Sequence, residues 1–231
     1  MRSALVAAFV SALLLSDPVS AQVDPKNTVS GLTLADRDAR HTISLPFSLF
    51  VPEGIRLGYD MREFIASQEF GTFDSTVSPE AAFNEIYYEA VTMAHGNLTD
   101  ALLAASFGSF EHEYIPLDFF GAEVDLPLTS EDHDRFLLRV SHLPAHLYRI
   151  PEDDRDKIQH FFASAWLKSI LGMDWLVHLA GEAVEAGESL FVIGDARDPR
   201  DVHANADGLR FEMQAEKNLG RPPSASLTPN P

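Results

Sequence analysis

The chain has 231 residues, with 17 Lys and Arg against 35 Asp and Glu, a formal net charge of −18 and no cysteine. That balance argues against nucleic acid or anionic lipid as a partner, because phosphate binding needs a concentrated basic face. Without cysteine there is no disulfide framework, thiolate metal site, cysteine nucleophile or lipid-modified cysteine, so a domain of this length must fold on its apolar core alone.

In chain order, Met1-Arg2 supplies a short positive start, and Ala4 to Leu15 is an apolar run of signal-peptide length. Val19-Ser20-Ala21 then presents small residues where a signal peptidase reads, so cleavage is expected after Ala21. The run is too short to cross a bilayer, which takes about 20 apolar residues. Removing it takes Arg2 and Asp17 together, so the mature charge remains −18. An exported chain without disulfides fits a bacterial periplasm or culture medium better than a eukaryotic secretory route. Residues 22–40 read as an extended lead-in. His41 to Val51 leans toward strand, with Pro46 making it an edge or irregular segment.

Ser78-Pro79-Glu80 is a helix start, Ser as the N-cap and Pro at the first helical position. The stripe Ala82, Phe83, Ile86, Tyr87, Ala90 and Met93 carries that helix to His95-Gly96. Asn97-Leu98-Thr99 is formally a glycosylation sequon, but it reads as the cap of a second helix to Phe107, with Asp100 at its third position. Tyr114 to Leu128 alternates on either side of Gly121, which predicts a small β-hairpin, kept short by Pro116 and Pro127. Thr129-Ser130 with Glu131 and Asp132 opens a helix toward Leu143-Pro144.

From Pro151 the pattern is helical. Three acids, Glu152 to Asp154, occupy the expected first turn, and that helix should run to Leu171-Gly172. A second is expected over Asp174–Phe191 and a third from Pro199 to Gly220. Residues 221–231 are Pro- and Ser-rich and read as a disordered tail. The predicted fold is mainly α. A helical C-terminal bundle over 151–220 sits in one globular domain spanning 41–220, with the hairpin in its N-terminal half.

The residues that could carry chemistry lie on the late helices. Asp156 and His160 share a face at i and i+4, as do Asp201 and Asn205, with Gly208 next along and small enough for a close helix approach. His178, Glu182 and Glu185 form a third such face. Polar groups at helical spacing beside apolar turns need partners, so the three faces could converge on one polar centre. Such a centre has three readings: a structural joint, a ligand or cation site, or an acid/base site in which His160 works with Glu182 or Glu185. Phe161, Phe162 and Trp166 would support peripheral envelope contact if they were exposed.

Known signatures narrow this further. There is no HExxH, and His142 and His146 have zinc-like spacing interrupted by Pro144. Asp201 to Glu212 imitates a calcium loop, yet has Ala206 where the turn needs Gly and His203 at its third position. No GxSxG elbow, phosphate loop or dinucleotide fingerprint occurs. No cofactor is therefore expected, a divalent cation at the polar centre being the one exception considered.

DKIQHF (156 to 161), the acidic helix around Glu182 and Glu185, and Asp201-x-x-Ala204-Asn205-x-x-Gly208 resemble the DKxxHF … E … DxxAN-x-x-G pattern of VanZ-like proteins. Small periplasmic lipoproteins of bacteria are similar. The resemblance covers about 55 residues and implies an envelope setting and helix packing, with no defined reaction. Its matching positions are Asp156, Lys157, His160, Asp201, Asn205 and Gly208. The chain departs from it in helices too polar to span a membrane, with Lys168, Asp174 and His178, and in having no cysteine to carry lipid.

Overall fold

The computed structural model describes residues 53–119, 122–127, 131–148, 153–172 and 199–228, and these are mainly helical. The expected helix Asp174–Phe191, the lead-in and the signal segment lie outside the described residues.

Helix α1 (Glu53–Ile65) and helix α2 (Gln68–Asp74) occupy a stretch to which the sequence pattern assigned no element. Gly54 and Gly58 hide α1, since two glycines in thirteen residues weaken a helical pattern. They have a packing reason. A Cβ at Gly58 would stand 2.5 Å from the Phe107 ring, and one at Gly54 would stand 2.8 Å from Leu103. Leu57, Met61, Phe64 and Ile65 supply its buried stripe.

Helix α3 (Pro79–Met93) starts on Ser78, whose side chain accepts from the Ala81 N–H. Ala82, Phe83, Ile86, Tyr87 and Ala90 are fully buried along one face. Helix α4 (Leu98–Gly108) begins at Asn97, whose side-chain oxygen caps the Asp100 N–H. Its sequence is apolar almost all round, as a central helix requires, and it packs against α1, α3 and the later helix α6. Its alanines Ala101, Ala104 and Ala105 let those neighbours approach.

The backbone of β1 (Tyr114–Phe119) pairs antiparallel with β2 (Ala122–Pro127), Tyr114 opposite Pro127 and Phe119 opposite Ala122. Helix α5 (His133–Ser141) follows, capped by Asp132, so it starts later than Thr129-Ser130 suggested. Its Arg139 is fully buried and donates to both oxygens of Glu131, to Gly108 O at 3.0 Å and to Phe110 O at 2.7 Å. Arg62 adds a bond to Phe107 O at 3.1 Å, with its guanidinium 4.1 Å from the centre of the Phe107 ring. Two buried cations thus finish the carbonyl end of α4, where orphan C=O groups need donors.

Helix α6 (Asp156–Leu171) starts five residues later than Pro151 suggested. Asp154 is diverted from the first turn. It is fully buried and accepts from the backbone N–H groups of His146 and Tyr148, the latter at 2.9 Å. Gly172, at φ 66°, ends the helix in the left-handed conformation that glycine tolerates. Helix α7 (Pro199–Ala215) lies against α6.

The expected disordered tail is corrected by the fold. Pro223 to Ser226 form a 3-10 turn with Pro223 and Ser226 buried, and Leu219 and Leu227 pack on the core. The composition of the segment hid this, because its apolar anchors are few and the folded body supplies the hydrogen bonds that hold its backbone.

Candidate functional site

The α6–α7 seam is built from small residues and aromatics. Phe161 and Phe162 both stand 5.1 Å from Phe83 between ring centres, which ties α6 to α3. Gly208 lies directly on the Phe161 backbone, where an added Cβ would collide with the carbonyl oxygen. Ala165 and Ala204 are fully buried, and Ser164 Oγ donates to Asn205 Oδ1 at 2.7 Å. A seam this close leaves little room for long side chains, with one exception.

That exception is Lys157, 1% exposed, whose ammonium donates to Asp156 beside it and to Asp201 on α7. Burial works against its charge, but the two carboxylates outweigh burial and hold the ammonium above its ordinary range. His160 stands at the rim, 30% exposed, with Nε2 3.5 Å from the same Asp201 oxygen.

Of the residues singled out from sequence, Asp156, His160 and Asp201 therefore meet around Lys157. Asn205 belongs to the same seam through Ser164. Glu182 and Glu185 lie outside the described residues. Lys157 was not itself marked as a centre. The signal was present, because 157, 161 and 165 form an i, i+4, i+8 stripe in which a lysine stands among buried positions.

Glu111, between α4 and β1, is not distinguished by the sequence from the other acids of its stretch. Its carboxyl is pushed up to about 7, first by burial and then by Asp156 and Asp153, against the opposing pull of Lys157 and Arg155. The centre thus combines one buried cation, two carboxylates bound to it and an imidazole at its edge, with the raised Glu111 carboxyl close enough to feel Asp156 and Lys157.

Other sequence patterns resolve differently. The calcium-like stretch from Asp201 to Glu212 lies inside continuous helix α7, so it cannot wrap an ion as a loop. His142 is engaged by Ile65 O, 2.8 Å from its Nδ1. Among the described residues, no group of three or more His, Asp or Glu is placed to hold a metal ion. Phe161, Phe162 and Trp166 are buried in the core, which overturns envelope contact through those rings. Among the same residues no helix is long and apolar enough to cross a membrane.

Comparison with known proteins adds no relative. No family model, curated protein or solved structure matches the chain.

Proposed function

We propose that this chain is an exported bacterial envelope protein, soluble after cleavage near Ala21, which acts by binding or scaffolding. In this reading its late helices pack as a bundle whose motif pattern resembles that of VanZ-like proteins, with a small β-hairpin on the N-terminal half and no nucleic-acid partner. The apolar run from Ala4 to Leu15 supports export, and the absence of cysteine favours a bacterial over a eukaryotic route. One observation carries the preference for binding over catalysis: Lys157 is buried and already satisfied by Asp156 and Asp201, as a structural joint requires.

Melting of the mature protein tests the joint. Lys157→Ala leaves two carboxylates facing each other and should cost about 3 kcal/mol, the usual result of removing one partner of a buried pair. His160→Ala, at the rim, should cost less than about 1 kcal/mol. If Lys157→Ala melted like wild type, the joint reading would be lost. Export is checked separately by N-terminal sequencing of the periplasmic fraction, where a start at Gln22 is expected.

A second reading is favoured by Glu111 and His160 together. A carboxyl near 7 and a partly exposed imidazole beside Asp201 are the equipment of an acid/base hydrolase, with Glu182 as a further partner. A hydrolase screen in which Glu111→Gln and His160→Ala abolish a wild-type activity, while leaving the fold intact, would replace the binding reading.

A further inference from the structure

The segment after α7 turns back and fills the space between α3 and α7. Those two helices meet through long side chains, Tyr87 and Phe211 standing edge to face at 4.9 Å, and the 3-10 turn Pro223–Ser226 packs on both. What holds this strap is mostly its own backbone, gripped by side chains of the folded body. Tyr88 Oη donates to Gly220 O at 3.2 Å, and Asn84 Oδ1 accepts from the Ser224 N–H at 2.9 Å. Asp207, fully buried, accepts from the Thr228 N–H at 2.9 Å and from its hydroxyl at 3.0 Å. His203 Nε2 lies 2.9 Å from Thr228 O and 2.7 Å from the Thr228 hydroxyl oxygen.

Body side chains holding the main chain of an extended segment are how peptide grooves work. Pro222 and Leu227 sit in the polyproline region, so the strap is partly preformed for such a seat. Its hold is also incomplete. Tyr87 Oη, Gln214 Oε1 and Ser226 Oγ, one from each element of this seam, are buried with no hydrogen-bond partner among the described residues. Each such group opposes burial and so lowers the cost of opening the seam locally. The connection 216–218 and Gly220-Arg221 are exposed, so a hinge there releases the strap at the cost of unseating Leu219, Pro223 and Leu227.

We propose that the α3–α7 groove is a peptide-binding groove, filled in cis by residues 219–228 and open in trans to the same residues of a second copy. Every contact of the strap can be made identically by a second chain, which is the low-cost route to association by exchange. The cis strap competes at an effective concentration on the order of millimolar, so the unmodified chain stays closed when dilute. This deepens the binding reading by naming a surface and an occupant, and it is independent of export and of Lys157.

Two full-length variants test it by complementation. One has a disabled strap and an intact seat (Ser224→Pro with Thr228→Ala); the other has an intact strap and a disabled seat (Asn84→Ala with Asp207→Asn). With both folded by circular dichroism, light scattering on an equimolar mixture should find a 1:1 heterodimer that neither forms alone. A labelled peptide of residues 217–228 should bind the strap-disabled chain and lose about tenfold in affinity when Asp207→Asn is added. Peptide uptake without heterodimer would overturn the second copy as the occupant, and no uptake at all would overturn the groove. Should either variant fail to fold, hydrogen exchange on the unmodified chain decides. Ser224 and Thr228 amides exchanging through a smaller opening than the α3 amides supports the proposal, whereas exchange only with global unfolding refutes it.

Discussion

Glu111 holds the carboxyl whose charge is hardest to maintain near the polar centre. Its folded pKa of about 7 lies above its ordinary value of 4.5, so between those pH values the native chain binds more proton than the unfolded one. Its contribution to stability is therefore fully present below pH 4.5 and is lost as pH rises through about 7. Glu111→Gln should remove this slope and leave the protein more stable at pH 8 by about 2 kcal/mol, after allowance for partial exposure. Urea titrations of both proteins at pH 5 and pH 8 check it, and parallel pH profiles would count against it. Nothing in the sequence separates Glu111 from Glu113, whose carboxylate instead pairs with His133 at 2.9 Å. Two residues apart in an acidic stretch, they differ only in what the fold brings beside them. Asp156, His160 and Asp201 were legible for the opposite reason, since helical spacing alone puts them on faces that must find partners.

At the level of elements, helices with a cap and an uninterrupted stripe were readable from sequence. Ser78-Pro79 and Asn97 mark α3 and α4 because capping is a local property. Helix α1 escaped because its glycines answer to α4, a partner some fifty residues away in sequence. The start of α6 was misplaced because Asp154 is claimed by the His146–Tyr148 backbone, a contact that no helix rule contains. Gly208 was legible as a close-approach position, and its consequence is sharp. Gly208→Ala gains helix propensity, about 1 kcal/mol in isolation. It also drives a Cβ into the Phe161 carbonyl, which is backbone and cannot swing aside. The collision should win, with a net loss of about 2 kcal/mol by chemical denaturation. A stabilised variant would mean that α6 and α7 separate more easily than their contact implies.

For the whole molecule, a net charge of −18 sets a background repulsion that no single pair cancels. Salt screens that repulsion over a Debye length of about 10 Å at 0.1 M, whereas buried pairs such as Lys157–Asp201 and Arg139–Glu131 are screened much less. The melting temperature should therefore rise by several degrees between 20 and 500 mM sodium chloride, on the order of 1 kcal/mol. A fall would show that exposed ion pairs such as Arg135–Glu63 outweigh the general repulsion. The strap raises a question of time as well as of energy. Its bond from Ser224 to Asn84 joins residues 140 apart, whereas α3 and α4 are neighbours in sequence. Closing so long a loop costs entropy before the contact can repay it. The strap should accordingly be a late event in refolding, and pulse-labelled exchange should protect the α4 amides before Ser224; the reverse order would refute it. During synthesis the Asn84 side of the groove is made long before its own strap exists. The α7 side, with His203 and Asp207, is made only just before the strap itself, so a finished groove meets its own strap almost as soon as it exists.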